Sequence, residues 1–207
     1  MGYDVYGLNP KINSEPPKLL SKFLDKDGFT DWNKMTDDDK KAYFDAQDTH
    51  RKKNPGEYFR SNVWYWRPIW NFVCAACDDF LSDRDIDAGC SNSGIKISKT
   101  KSIRIGSRLR SLDKQGVIQK WEDEMLIPFK KAQKNNKKVR KEMNAFQKKM
   151  EKKHSADIIP SKYPKEDYAK WNAIYAKEDW SGSYPPSRKG IVEFGEFCAE
   201  SGGFEIW

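Results

Sequence analysis

Histidine and cysteine, on which many catalytic and metal sites depend, are scarce in this sequence. Its 207 residues include two histidines and four cysteines. His50 and His154 lie in polar segments, and we expect neither to act as an active-site base. The sequence contains no phosphate-binding loop, dinucleotide fingerprint or nucleophile elbow. We therefore expect a non-enzymatic protein with no catalytic residues and no cofactor, while catalysis by carboxylates alone stays open.

The cysteines leave one metal site to consider. Cys74 and Cys77 form a C-x-x-C pair, which Cys90 and Cys198 could complete as a four-thiolate zinc site. The pair lies in an apolar helical segment, however, and the sequence has no second C-x-x-C and no C-x-x-H. We interpret the four residues as small side chains with free thiols and predict no metal site.

Long apolar runs are also absent. A helix needs about 20 consecutive apolar residues to span a bilayer, and no segment approaches that length. The first residues lack the basic-then-apolar order of a secretory signal. We expect no membrane contact and a cytoplasmic location, in the host cell if the protein is viral, with the virion as an alternative.

Aromatic residues, in contrast, are abundant. Eight tryptophans, nine tyrosines and eleven phenylalanines supply enough apolar surface for a hydrophobic core. Alternating residues predict short strands at 1–7 and 204–207, and we expect these two strands to pair. Thr36 and Asp39 predict the start of one helix, and Pro68 predicts the first turn of a buried helix. The fold class predicted is α+β.

The clearest periodicity lies in residues 125–150. Apolar residues recur there at steps of four and three, interrupted by Asn136, and Pro128 is expected to kink or restart the helix. A second helix, entered at Pro164, is predicted to fold back over this stripe as an αα-hairpin. Alternatively, the stripe is a seam between copies in a homo-oligomer. The stripe consists of Met125, Phe129, Ala132, Asn136, Val139, Met143, Phe146 and Met150.

The positive charge of the protein belongs to this hairpin. Residues 130–153 contain eleven lysines and arginines and two glutamates, a net charge of +9 in a chain whose total is +7. One interpretation is a solvated face that keeps the hairpin soluble; the other is a surface for nucleic-acid phosphates or an acidic host protein. Lysine dominates, which favours nonspecific phosphate contacts over base recognition. The candidate binding residues are Lys130, Lys131, Lys134, Lys137, Lys138, Arg140, Lys141, Lys148 and Lys149.

A second candidate site is the aromatic segment 58–68. Trp64, Tyr65 and Trp66 are consecutive, so the three rings cannot all face one side, and at least one is expected to face a partner or ligand. The alternative is a packed entrance to the core with arginine salt bridges. Candidate residues for a small molecule or nucleotide, and for an enzymatic role if one exists, are Tyr3, Asp4, Arg60, Asn62, Trp64, Trp66 and Arg67.

Three segments resemble one protein family. They are MGYDVYGLNP at the start, GEYFRSNVWYWRPIW at 56–70 and SGGFEIW at the end. They are similar to the motifs M-G-x-D-V-Y-G, Y-F-R-N-N-V-W-W-W-R-P-L-W and S-G-G-F-E-I-C of an uncharacterised family of small phage and bacterial proteins. The resemblance covers roughly residues 1–13, 55–116 and 180–207. It implies a phage-type origin and brings no activity.

The resemblance also implies a core with insertions. We expect a single domain, 1–207, with its core at 1–13, 55–117 and 180–207, a helical insertion at 14–54 and the lysine-rich hairpin at 118–179. Family members often lack the first insertion and carry a cysteine-rich, zinc-ribbon-like insert, and they end in Cys where this chain has Trp207. We expect a binding protein that acts through its basic hairpin, with a virion-associated structural protein as a further alternative.

Overall fold

The computed structural model describes residues 2–207, which form two compact units. The sheet unit comprises residues 2–116 and 189–207, and the lysine-rich unit comprises residues 117–188. The lysine-rich unit thus extends nine residues beyond the hairpin boundary expected from the sequence. Within residues 2–207, no helix has a stretch that is long and apolar enough to cross a membrane.

The α+β class is confirmed. Four antiparallel strands form one sheet in the order β2-β1-β4-β3, and seven α-helices accompany them among the described residues. The strands are β1 (Gly2–Gly7), β2 (Tyr58–Asn62), β3 (Ile95–Ile97) and β4 (Phe204–Ile206). The helices are α1 (Asp37–Lys53), α2 (Val63–Ala76), α3 (Asp83–Ala88), α4 (Lys99–Lys114), α5 (Val117–Lys153), α6 (Lys165–Tyr175) and α7 (Arg188–Glu200).

The N-terminal strand lies inside the sheet and pairs with the C-terminal strand, as predicted. Val5 lies opposite Phe59 of β2 and Ile206 of β4. Tyr3 and Val5 are buried on one face of the sheet, whereas Asp4 and Tyr6 belong to the other face. The alternation in the sequence therefore corresponds to one core face and one outer face.

Side-chain caps decide where two helices begin. Thr36 and Asp39 form the predicted capping box at the start of α1. The predicted start of α2 near Pro68 is wrong, because α2 begins at Val63. The Asn62 side chain accepts hydrogen bonds from the amides of the second and third residues of α2, and this satisfies its first turn before the proline is reached.

Stacked aromatic rings form the core of the sheet unit. Trp66 is fully buried and stacks on Tyr3 and Trp70, with ring centroids 5.3 and 5.5 Å away. Its Nε1 donates to the carbonyl of Gly89 at 2.7 Å, so its one polar atom is satisfied inside the core. Phe194 of α7 meets Trp66 edge-on at 5.3 Å. These contacts connect the sheet, α2 and α7.

The cysteines are free thiols in the structure. Burial raises the pKa of Cys74 to about 12 and that of Cys77 to about 11, so both stay protonated near neutral pH. Cys90 is exposed and Cys198 is buried. Among residues 2–207, no cluster of three or more His, Cys, Asp or Glu side chains could hold a metal ion.

Helices α4 and α7 meet at a close glycine contact. A Cβ atom on Gly106 would lie 2.7 Å from the carbonyl oxygen of Gly195 and 2.8 Å from the amide nitrogen of Ala199. Ser102, one turn earlier, donates to the carbonyl of Cys198 at 2.6 Å. Because both obstacles at Gly106 are main-chain atoms, an added methyl group would force the helices apart.

We predict that Gly106→Ala lowers the free energy of unfolding of the sheet unit by about 1–3 kcal/mol, the cost typical of overpacking. The neighbouring Ser107 is exposed, and Ser107→Ala should change this quantity by less than about 0.5 kcal/mol. Hydrogen exchange of the α4 and α7 amides measures the effect in this unit. Equal protection in the two variants would contradict the close contact.

Candidate functional site

The lysine-rich unit is built on α5, whose apolar stripe is covered within the same unit. Helix α5 continues through Pro128, so the helix does not restart there. Ala132, Val139 and Met150 on the stripe are buried. Met150 packs with Ile158 and Tyr163, and Phe146 and Trp171 cover the same cluster. Helix α6 and the short turns before and after it thus occupy the stripe.

This packing bears on the homo-oligomer interpretation. From Ala132 to Met150 the stripe lies against other residues of its own unit, and no continuous seam is left there for a second copy. Met125, at the start of the stripe, is 45% exposed. A seam needs a sustained apolar repeat on a free face, so the covered stripe argues against oligomerisation through 125–150.

Asn136 is the polar residue that interrupts the stripe, and it connects α5 to the returning chain. Its Nδ2 donates to the carbonyl of Asp179 at 2.7 Å, and the amide of Asp179 donates to its Oδ1 at 2.8 Å. The side chain therefore bonds both main-chain groups of a residue 43 positions away, as a paired residue of a neighbouring strand would. Asn136 is 6% exposed, so these two bonds are largely protected from water.

Ion pairs hold the hairpin at both ends. Near the end of α5, Lys153 donates to the Asp167 carboxylate at 2.7 Å. This hydrogen bond is the main cause of the lowered pKa of Asp167, and His154 and Lys170 contribute to it. Towards the middle of α5, Glu142 accepts from Lys177 at 2.8 Å and Arg140 reaches Glu178 at 3.4 Å.

Opposite the covered stripe lies a continuous face of lysines, which we call the lysine face. With 3.6 residues per turn, its members fall within an arc of about 120° around α5 and extend for about 33 Å along it. All are exposed, and none forms an ion pair within 4 Å with a residue of 2–207. The lysine face consists of Lys130, Lys131, Lys134, Lys137, Lys138, Lys141, Lys148, Lys149 and Lys152.

Acidic side chains are excluded from this arc. The two glutamates between 130 and 153 lie at its margins. Glu142 is held by Lys177, and Glu151 accepts from Gln147 at 3.1 Å. Arg140, one of the candidate residues, also lies outside the arc and pairs with Glu178. The lysine face therefore presents positive charge with no carboxylate of residues 2–207 in an ion pair to it, and Asp179 is close enough to Lys131 for that lysine to help lower the Asp179 pKa.

The structure does not bring the second set of candidate residues together in one site. Tyr3 and Trp66 stack inside the core, and Asn62 caps α2. Trp64 is 41% exposed. The remaining three residues of the set are Asp4 and Arg60, on the outer face of the sheet, and Arg67, which is exposed on α2.

On that outer face, Asp4 is engaged by two neighbours from β2. It accepts a hydrogen bond from the hydroxyl of Tyr58 and lies 3.5 Å from Nε of Arg60. Burial and the bond to Asp4 raise the pKa of Tyr58 to about 12. Cross-strand pairs of this kind stabilise adjacent strands. They agree with the interpretation of segment 58–68 as a packed entrance to the core with arginine salt bridges.

One polar cluster in the sheet unit was not anticipated from the sequence. His50 lies in a polar segment, yet its side chain is only 10% exposed. Its Nε2 lies 2.6 Å from a Glu57 carboxylate oxygen, and its Nδ1 lies 3.0 Å from Oγ of Ser14. Asn54 is 1% exposed and accepts from the Ser14 amide at 3.2 Å. The cluster attaches the chain near residue 14 to the end of α1.

No protein-family model, curated protein or solved structure matches this chain. The charge, length and shape of the lysine face are therefore the observations that bear on function.

We predict that Asn136→Ala lowers the free energy of unfolding of the lysine-rich unit by about 1–3 kcal/mol, because it leaves the Asp179 amide without its acceptor and removes one of the two donors to the Asp179 carbonyl. Asn144 is an exposed residue of the same helix, and Asn144→Ala is the matched control. Hydrogen exchange of the α5 amides measures both variants. Equal protection would show that the Asn136 bonds contribute nothing.

Asp167 is expected to make the lysine-rich unit sensitive to acid. Because its pKa is lowered in the folded state, its contribution is complete above the unfolded-state pKa of about 3.9 and is lost as the pH falls through the folded-state pKa. Asp167→Asn should therefore reduce the thermal midpoint of α5 at neutral pH, and the difference from wild type should disappear as the pH falls through the folded-state pKa of Asp167. A difference that is constant with pH would contradict this assignment.

Proposed function

We propose that this chain is a non-enzymatic binding protein whose lysine face binds the phosphate backbone of a nucleic-acid duplex without sequence specificity. The observation that carries this proposal is the arrangement of nine exposed lysines, none of them in an ion pair within 4 Å with a residue of 2–207, on one side of a single continuous helix. The face is about 33 Å long, close to one turn of B-DNA at about 34 Å. We further propose a phage-type role in the cytoplasm of a host cell, in keeping with the family resemblance of the terminal and aromatic motifs.

The composition of the face favours a duplex over a single strand. Proteins that bind single strands stack the bases on aromatic side chains, and the lysine face contains no aromatic residue. A duplex presents its phosphates on the outside, about one charge per 1.7 Å of axis. Point charges on flexible stems suit such a surface, because a lysine contacts a phosphate without a fixed bidentate geometry.

The composition also argues against recognition of particular bases. Guanine is read by Arg or Lys and adenine by Asn or Gln, and of the two basic side chains only Arg has a rigid fork that fixes two hydrogen bonds at once. Arg140 is the one arginine between 130 and 153, and its pairing with Glu178 keeps it outside the face. We therefore expect similar affinity for unrelated duplex sequences.

The packing of the hairpin supports the proposal by keeping α5 in place. The covered stripe, the Asn136 bonds and the Lys153–Asp167 pair hold the helix along the length of the face. The backbone that carries the lysines is therefore already ordered in the free protein. Less conformational entropy is lost when the duplex binds. An acidic protein would experience the same attraction, but a face with lysines repeated along one continuous helix matches a regular polyanion better than an irregular folded surface.

The test replaces part of the face and measures salt dependence. Lys137, Lys138 and Lys141 are changed together to Gln, and fluorescence anisotropy follows binding to a labelled duplex of about 20 base pairs. Wild-type affinity should fall steeply between about 50 and 200 mM salt, and the triple variant should bind more weakly with a log–log slope smaller by about 2–3. The control carries Gln at Lys11, Lys18 and Lys26, three exposed lysines of the sheet unit, and should behave as wild type.

Three outcomes would contradict the proposal. Binding that is absent or independent of salt would exclude the phosphate contacts. Tighter binding to a single strand of equal length would exclude the duplex. If polyglutamate competes as well as the duplex at equal charge, the partner is an acidic protein instead.

A further inference from the structure

Strand β2 is an edge strand whose outer main-chain groups are unpaired. Asp4 of β1 exchanges both main-chain hydrogen bonds with Trp207, at 2.7 and 2.8 Å, and the amide of Gly7 donates to the carbonyl of Glu57. Because bonding direction alternates along a strand, β1 must bond to Phe59 and Ser61 of β2 at the intervening positions. The N–H and C=O groups of Tyr58 and Arg60 therefore point away from the sheet.

No main-chain bond within residues 2–207 satisfies these four outward groups. A row of free donors and acceptors with strand spacing is the pattern that an extended peptide recognises when it adds to a sheet. A small molecule would match one or two such groups. A second strand matches all of them.

A groove of 540 Å³ runs beside this edge within the sheet unit. Phe59 of β2 and Phe197 of α7, whose ring centroids are 6.0 Å apart, contribute its apolar lining. Glu193 and Glu196 of α7 contribute acidic groups. Glu193 lies 3.6 Å from Lys189, and Glu196 forms no ion pair within 4 Å with a residue of 2–207.

The charges of the groove select the chemistry of the added strand. Alternate side chains of that strand would lie on the same side as Phe59, where α7 packs. A lysine or arginine there would lay its aliphatic stem on Phe59 and Phe197 and bring its charge to the two glutamates. Three basic residues also line the groove: Arg60, which pairs with Asp4, and Arg51 and Lys52, which would disfavour a further basic residue near them.

We propose that the β2 edge binds an extended segment of a protein partner, which adds as a further strand of the sheet and places a basic side chain against Glu193 and Glu196. This site is separate from the lysine face and selects the opposite charge. The pairing is short, because two residues of β2 offer outward groups. Specificity therefore depends on the basic side chain and its acidic contacts.

The first test removes one main-chain donor from the edge. The probe is the synthetic peptide acetyl-Thr-Val-Thr-Lys-Thr-Val-Thr-amide, titrated while amide chemical shifts are followed by NMR. Arg60→Pro deletes the outward N–H at a position where proline is tolerated, since that amide makes no ladder bond. Arg60→Ala removes the same side chain but keeps the donor. We expect saturable binding to Arg60→Ala and at least about tenfold weaker binding to Arg60→Pro, the effect of losing one hydrogen bond.

Unchanged protection of the Val5 and Phe59 amides would show that Arg60→Pro retains the β1–β2 ladder. The proposal is overturned if the peptide does not bind wild type at concentrations up to about 1 mM. Equal affinity of the two Arg60 variants overturns it as well. A dimer in light scattering that Arg60→Pro abolishes would also overturn it, since a second copy would then occupy the edge.

The second test exchanges the charge. Wild type should prefer the lysine peptide to the same peptide with glutamate at its centre. Glu193→Lys combined with Glu196→Lys should reverse this preference, because the sign of the facing charge is reversed. Glu193→Gln combined with Glu196→Gln should lose the preference for lysine, because Arg51, Lys52 and Arg60 are then the charged side chains that line the groove. If the double lysine variant still prefers the lysine peptide, Glu193 and Glu196 of α7 do not contact the peptide.

Discussion

Burial of one stripe of α5 is the interaction on which the candidate interface depends. A helix that places its apolar residues against α6 and the adjoining turns must direct the opposite arc of its surface to solvent. In this chain that arc carries lysine and excludes acidic residues, so the packing that stabilises the lysine-rich unit also orients its charge. The Asn136–Asp179 bonds add directional contacts to this packing, which apolar side chains alone do not provide.

The sheet unit depends on a different arrangement, in which the two chain termini lie inside one sheet. Pairing of β1 with β4 makes the end of the chain part of the core, and Trp66 stacks on Tyr3 of β1 while α7 covers it from the side. The same topology places β2 at an edge. The open edge beside the acidic side of α7 is therefore a consequence of strand order.

Much of this fold could be predicted because its signals are local. The apolar steps of four and three in 125–150, the alternation in the first strand and the Thr36–Asp39 box each depend on neighbours within a few residues. The start of α2 could not be located in the same way, because Pro68 and Asn62 both mark helix starts. The hydrogen bonds from the Trp64 and Tyr65 amides to the Asn62 side chain decide between them.

The net charge of the lysine face could be predicted from the sequence, but the membership of the face could not. The lysines could be counted, but the separation of Arg140 from the lysine face and the addition of Lys152 to it depend on which side of α5 is buried. Among the aromatic residues, Trp66 had the same local features as Trp64, yet Trp66 is fully buried and Trp64 is 41% exposed. That distinction arises from contacts with β1 and α7, which are distant in the sequence.

The α+β class, the concentration of positive charge in one helix and the scarcity of histidine and cysteine could be read from the sequence alone, because they follow from composition and short-range periodicity. Three features become visible only in the folded chain: the α5 stripe is covered within its own unit, Asn136 bonds the main chain of Asp179, 43 residues away, and the outward groups of β2 are left open. Each of these features depends on contacts between residues that are distant in the sequence. The tertiary fold determines which of those residues meet.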